Sequence, residues 1–108
     1  KKIVMNRIEK LKEMLAEAKD DNFLQHALAL EYIKAGDDTG ARALFESILE
    51  RDPGYIGSYY HLAKLLERTG EPGAAIGIYE KGMGMAGKAG DNHAFNELKM
   101  AKEELEDY

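Results

Sequence analysis

Apolar residues along the chain recur at the spacing of one face of an α-helix, and they do not alternate as they would in a strand. The clearest stripe is Ala41, Phe45, Ile48 and Leu49, at positions i, i+4, i+7 and i+8. Short breaks rich in glycine and aspartate separate this stripe from its neighbours. The pattern predicts an all-α chain of six helices near residues 4–18, 22–35, 38–51, 55–69, 72–87 and 91–106.

The sequence also matches itself when it is shifted by 34 residues. At this offset large apolar, small, glycine and aromatic positions each meet a residue of the same kind. The matching pairs are Leu28 with Leu62, Ala29 with Ala63, Gly36 with Gly70, Ala41 with Ala75, and Phe45 with Tyr79. Because the matches keep one order, they indicate two copies of a single structural unit.

Each unit is predicted to be a pair of antiparallel helices joined by a tight turn. Gly36 is suited to the left-handed conformation that ends a helix. Asp37 or Asp38 is suited to cap the helix that follows. The small side chains of Ala29 and Ala41 allow the two helices to approach closely.

This pattern resembles the tetratricopeptide repeat, a helical hairpin that stacks into a right-handed superhelix. Its motif is matched by Leu28, Ala29, Tyr32, Gly36, Ala41, Phe45 and Pro53, and then by Tyr59, Leu62, Ala63, Leu66, Gly70, Ala75 and Tyr79. Two positions depart from the motif. Gln25 replaces the usual aromatic residue of the first repeat, and Gly87 replaces the usual proline of the second. The resemblance implies a right-handed α-solenoid of about six antiparallel helices.

The resemblance also implies a single domain, 1–108, built from four segments. Repeat one would span 22–55 and repeat two 56–89. Shifting the second-helix stripe back by one period predicts a half-repeat helix over 4–21, with core positions at Arg7, Leu11, Met14 and Leu15. Residues 90–108 place Ala94, Phe95, Leu98, Ala101 and Leu105 opposite a charged face, which predicts a capping helix. Met5 is a candidate start residue, which would make residues 1–4 the remnant of a longer or added sequence.

Composition narrows the possible functions. The 108 residues are 44% hydrophobic and 32% charged, which is typical of a globular chain. The formal net charge of −5 disfavours nucleic acid as a partner, because phosphate backbones are repelled. The sequence has no cysteine and no apolar run long enough for a membrane span. We therefore expect a cytoplasmic protein without disulfides.

Catalytic and metal-binding patterns are lacking in the sequence. Ser47 and Ser58 have no evident His/Asp constellation, and Glu67, Glu71 and Glu80 are interpreted as ordinary surface carboxylates. The glycines near residue 84 follow a helical pattern and lack the Lys-Ser/Thr ending of a phosphate loop. The spacing of His26, His61 and His93 matches no short zinc motif. We expect neither an enzyme nor a bound cofactor or metal.

The resemblance implies a site on the first helix of each hairpin, which in this family lines a concave groove. The corresponding positions are Phe23, His26, Leu30 and Ile33 in repeat one, and Tyr60, His61, Lys64, Glu67 and Arg68 in repeat two. Exposed apolar and aromatic side chains of this kind usually mark a contact with protein. The alternative is that the N-terminal helix or a loop covers Phe23, Leu30 and Ile33.

One subclass of the family uses a carboxylate clamp of Lys, Asn and Arg to hold the acidic C-termini of heat-shock chaperones. The positions equivalent to that clamp hold His26, Leu30, His61, Asp91 and Phe95. None supplies the required side chain, and Asp91 has the wrong charge. We therefore expect a different partner.

Two functions remain open. The first is a non-catalytic scaffold that binds a peptide or a partner helix in the groove, as a monomer or weak homodimer. The second is an assembly unit that forms homo-oligomers, or joins a larger complex, through its helical ends or convex face. The half-repeat at the N-terminus favours the second function, and the polar face of the capping helix opposes it.

The segment 72–87 raises a separate question, because it contains Gly73, Gly77, Gly82, Gly84 and Gly87. An interior glycine costs a helix about 1 kcal/mol relative to alanine. One hypothesis is that this is the weakest helix of the chain. The alternative is that small residues here permit close helix packing.

Overall fold

The computed structural model describes residues 6–107. These residues form six α-helices and no strand, so the all-α prediction is confirmed. The helices are α1 (Arg7–Glu17), α2 (Asn22–Lys34), α3 (Asp38–Arg51), α4 (Gly57–Arg68), α5 (Pro72–Ala89) and α6 (Asn92–Glu106). The predicted beginning of the first helix at residue 4 and the candidate start at Met5 lie outside the described residues.

The turns within the two hairpins form as the sequence predicts. Gly36 and Gly70 both have φ of +83°, the left-handed region that glycine adopts without strain. Beyond Gly36, the amide of Asp37 donates to the Tyr32 carbonyl at 2.8 Å. Asp37 is the residue that caps the next helix, because its Oδ1 accepts from the Gly40 amide at 2.8 Å.

The chain divides into two compact units, with the boundary between Ile48 and Leu49. In the first unit α1 packs against α2. The buried apolar side chains of this unit are Leu11, Leu28, Ala29, Ala41, Phe45 and Ile48. The buried amide of Gln25, at the position where the motif has an aromatic residue, donates to the Lys19 carbonyl at 2.7 Å. Gln25 therefore stabilises the loop between α1 and α2 through a hydrogen bond, whereas the usual aromatic residue would contribute apolar packing.

Two core positions predicted for α1, Arg7 and Met14, are wrong, because both side chains are exposed. Met14 corresponds to the fully buried Ile48 in the period, but it is 52% exposed. The contact between α1 and α2 buries Leu11 and leaves Met14 outside.

In the second unit α5 packs against both α4 and α6. Its buried apolar side chains are Tyr59, Leu62, Ala63, Leu65, Leu66, Ala75, Tyr79, Ala86, Leu98 and Ala101. Gly82 of α5 lies close to side chains of both α4 and α6: a Cβ added there would be 2.7 Å from the Tyr59 Cβ and 2.9 Å from the Leu98 Cδ1. At Gly82 the small residue therefore permits close packing of α5 against Tyr59 and Leu98, as the alternative for this glycine-rich segment predicted.

The second repeat departs from the strict period because α5 is longer than its counterpart. α5 has 18 residues and α3 has 14. The first repeat has Pro53 soon after its second helix, whereas the equivalent Gly87 lies inside α5, which continues past the predicted residue 87 to Ala89. As a result, the buried positions Ala63 and Leu66 recur 35 residues later, at Leu98 and Ala101.

Candidate functional site

A surface groove runs between α4 and α6 in the second unit. It consists of two pockets of about 350 and 210 Å³ that share Tyr60 and Glu97. We call it the α4–α6 groove. On the α4 side it is lined by Ile56, Gly57, Tyr60, His61 and Lys64, and on the α6 side by Asp91, His93, Ala94, Asn96, Glu97, Leu98, Met100, Ala101 and Glu104.

Tyr60 is the central aromatic residue of this groove. Its ring centroid lies 5.6 Å from that of His61, edge to face, and 6.5 Å from that of the buried Tyr79. The Lys64 ammonium lies 5.7 Å from the centre of the Tyr60 ring and 3.6 Å from Glu67 Oε2. Contacts with the His61 and Tyr79 rings and with the Lys64 cation hold the Tyr60 ring in place.

Glu67 is not the ordinary surface carboxylate that the sequence suggests. Its Oε2 accepts a hydrogen bond from the hydroxyl of Tyr79 and also pairs with Lys64. Burial raises the pKa of Tyr79 above its usual value, and the hydrogen bond to Glu67 raises it further. Glu67 thus connects the buried Tyr79 to the side chain of Lys64 in the groove.

His61 is half-buried on the same side of the groove. Burial lowers the pKa of its imidazole, and the negative charge of Glu97 acts against this by raising it. Asp91 also lines this end of the groove. Its carboxylate is already engaged, because it caps α6 by accepting from the Ala94 amide at 3.0 Å.

The α6 side of the groove combines an apolar floor with carboxylates. Met100 is 62% exposed, and the adjacent small residue Ala101 is buried. Glu97 and Glu104 are exposed on either side of Met100 along the helix. The groove therefore offers a thioether and an aromatic ring for apolar contact, with charges at its edges.

Only some of the residues that the sequence predicts for the groove line the α4–α6 groove. Tyr60, His61 and Lys64 are brought together in the α4–α6 groove, whereas Arg68 is exposed and does not line it. The four repeat-one residues belong to the first unit. Of these, His26 packs edge to face on Phe45 at 5.5 Å, Leu30 and Ile33 are half-buried, and Phe23 is 71% exposed.

Sequence reasoning missed most of the α6 side of the groove. The sequence pattern predicts no role for Met100 and Asn96, and it places Glu97 and Glu104 on the charged face expected opposite the core positions of the capping helix. An exposed methionine within the charged face of α6 was the available signal. With the register of α6 advanced by one residue, the clamp positions predicted at Asp91 and Phe95 move to Asn92 and Asn96, and neither carries the positive charge of a clamp.

Two structural features are absent from residues 6–107. No helix in this part of the chain has the length and hydropathy needed to cross a membrane. No group of three histidine or carboxylate side chains in it is arranged to hold a metal ion.

Comparison with known proteins identifies the fold family. A family model described as tetratricopeptide repeat matches residues 32–89. The crystal structure of a tetratricopeptide repeat domain protein from Salinibacter ruber is 42% identical, with 80% of this chain and 96% of that chain covered and a TM-score of 0.76. None of the curated proteins matches the chain.

More distant structures share the same fold. A protein from Bordetella parapertussis is 26% identical, with 94% of this chain and 89% of that chain covered and a TM-score of 0.82. The TPR2B domain of yeast Sti1, solved as a pHsp70 complex, is 16% identical, with 93% of this chain and 80% of that chain covered and a TM-score of 0.85. The family match over residues 32–89 and the close relative from Salinibacter ruber show that this chain belongs to the tetratricopeptide repeat family.

Proposed function

We propose that this chain is a non-catalytic scaffold that binds a peptide segment of another protein in the α4–α6 groove. The fold is one that generally mediates protein–protein interaction. The observation that carries the proposal is the open apolar floor formed by Tyr60, Met100 and Ala101, with polar side chains around it. A rigid aromatic residue and an adaptable methionine are favourable contacts for a short apolar segment.

The yeast Sti1 domain, solved as a pHsp70 complex, supports a polypeptide as the partner class. At 16% identity it gives no guide to the partner of this chain. The lack of clamp residues at His26, Leu30 and His61 supports a ligand other than an acidic chaperone C-terminus.

Selection from a displayed library of random peptides on the full chain tests this proposal. We expect enriched peptides whose binding shifts the amide NMR signals of α4 and α6. Met100→Ala should weaken this binding, because it removes an exposed apolar contact from the groove. Met14→Ala is the matched control, since Met14 is similarly exposed but lies on α1.

Peptides that bind equally well to both methionine variants would place the binding site elsewhere and contradict the proposal. A selection that enriches no peptide would also count against it. Phe23→Ala is an additional variant. A loss of binding there would show that the repeat-one position also contacts the partner.

A further inference from the structure

We propose that the segment recognised by the α4–α6 groove is cationic, with two lysine or arginine side chains on either side of an apolar one. This inference rests on the proposed function and adds the chemistry of the partner. The charged residues that line the groove are Asp91, Glu97, Glu104 and Lys64.

The single cation of the lining is already neutralised. Lys64 pairs with Glu67 at 3.6 Å and lies over the Tyr60 ring. Asp91 is committed to capping α6 through the Ala94 amide. In contrast, neither Glu97 nor Glu104 forms an ion pair within residues 6–107. These two carboxylates therefore determine the charge that the groove presents to a ligand.

The two carboxylates lie on one face of α6 with Met100 between them. Seven residues of helix separate Glu97 from Glu104, which is about 10 Å along the axis. The exposed thioether of Met100 lies between these charges and faces the same groove. The surface thus has the order carboxylate, apolar, carboxylate.

A complementary segment has the order cation, apolar, cation at the same separation. Two residues seven positions apart in a helical segment lie on one face and span about 10 Å, which matches the separation of Glu97 and Glu104. An acidic segment would instead bring its own carboxylates against Glu97 and Glu104 without a free cation to receive them. Charges at a rim of this kind contribute mainly to the choice of partner and to the association rate.

A set of matched peptides tests the inference. Three peptides of equal length share the same leucine positions, and the two flanking positions carry lysine, glutamine or glutamate. Fluorescence anisotropy measures their binding to the full chain at low and moderate salt concentration. We expect the lysine peptide to bind most tightly and the glutamate peptide most weakly, with the difference shrinking as salt increases.

Variants of the protein locate the charges responsible. Glu97→Gln and Glu104→Gln should each lower the affinity for the lysine peptide by about twofold to fivefold, as expected for the loss of an exposed ion pair. Glu103→Gln is the matched control, because it removes the same charge from an exposed position of α6 outside the groove lining. Lys64→Gln should strengthen binding of the lysine peptide.

The possible outcomes separate this inference from the proposed function. If the glutamine or glutamate peptide binds as tightly as the lysine peptide, and Met100→Ala still weakens binding, the charge inference is overturned and the proposed function stands. If none of the peptides binds, or Met100→Ala has no effect, both are overturned. If Glu103→Gln lowers the affinity for the lysine peptide as much as Glu97→Gln does, the preference for a cationic peptide comes from the net charge of the protein. That result would contradict a role for the groove carboxylates.

A second copy of the chain is the alternative occupant. Sedimentation of the peptide-free protein tests this alternative. A dimer that dissociates in Glu97→Gln would overturn the inference, because the groove would then hold another copy of this chain.

Discussion

At Gly82 and Gly84, two glycines of one helix differ in what surrounds them. The space beside Gly82 is occupied by Tyr59 and Leu98, whereas a Cβ at Gly84 would meet no atom within 4 Å. Close helix packing therefore explains the glycine at position 82. The hypothesis that glycine weakens the helix applies to position 84, where no packing requires a small residue.

Alanine substitutions should reveal this difference. Gly82→Ala should lower the free energy of unfolding by about 1–3 kcal/mol, because its methyl group would overlap the Tyr59 Cβ. Gly84→Ala should raise it by about 0.5–1 kcal/mol, because a helical glycine loses more backbone entropy on folding. Urea denaturation followed by circular dichroism measures both. A stabilising Gly82→Ala would mean that the three helices do not meet as described.

Tyr79 and Glu67 form a hydrogen bond that the sequence pattern does not indicate. Tyr79→Phe should lower the free energy of unfolding by about 1–3 kcal/mol, because the bond to a charged acceptor is lost. Glu67→Gln should lower the free energy of unfolding by less than Tyr79→Phe does, because the amide oxygen can still accept a hydrogen bond from the Tyr79 hydroxyl. Thermal and chemical denaturation provide the test, and a Tyr79→Phe variant as stable as the parent would argue against the bond.

His61 should make the stability of the protein depend on pH. Because burial lowers its pKa in the folded state below the usual 6.5, folding favours the neutral imidazole. The resulting stability is present above about pH 6.5 and is lost as the pH falls through the lower folded-state pKa. Glu97 opposes the shift, and Asp91 also faces His61 across this pocket.

Denaturation between pH 7.5 and 5 compares His61→Gln with the parent protein. The variant should lose less stability on acidification, because it has no imidazole to protonate. His93→Gln removes an exposed imidazole from the neighbouring helix and serves as the control. Parallel pH profiles for His61→Gln and the parent would contradict the prediction.

At the scale of the helices, periodicity was sufficient to predict type and most boundaries. α2 and α3 begin at the predicted residues, since Asp21 and Asp37 cap them as aspartate commonly does. The end of α5 was placed too early, because a glycine at position 87 permits the helix to continue where a proline would have stopped it. In the helix that follows, the buried positions are advanced by one residue relative to the 34-residue period.

The hairpin of the first unit provides a test of the predicted faces. Ala41 is fully buried, so Ala41→Phe should overpack the unit and lower the free energy of unfolding by about 1–3 kcal/mol. Ala43→Phe is the control, because Ala43 is exposed on the same helix. If both variants melt like the parent, the assigned face of α3 is wrong.

At the scale of the whole molecule, the distribution of charge leads us to expect a monomer. The chain carries a net charge of −5, and the outer face of α6 is charged, with Lys102 held between Glu80 and Glu106 at 3.6 and 3.3 Å. Such a face disfavours stacking of a second copy on α6. Light scattering over a range of concentrations measures this, and a stable dimer would favour the assembly function.

The sequence by itself determined six helices, their turns and the small and bulky positions of the hairpin cores. These features follow from backbone conformation and from the spacing of side chains on one helix, both of which are local. The tertiary structure decided the α6 side of the groove, the close approach at Gly82 and the bond between Tyr79 and Glu67. These features require side chains distant in sequence to meet, and the one-residue advance of α6 determined which of its residues did so.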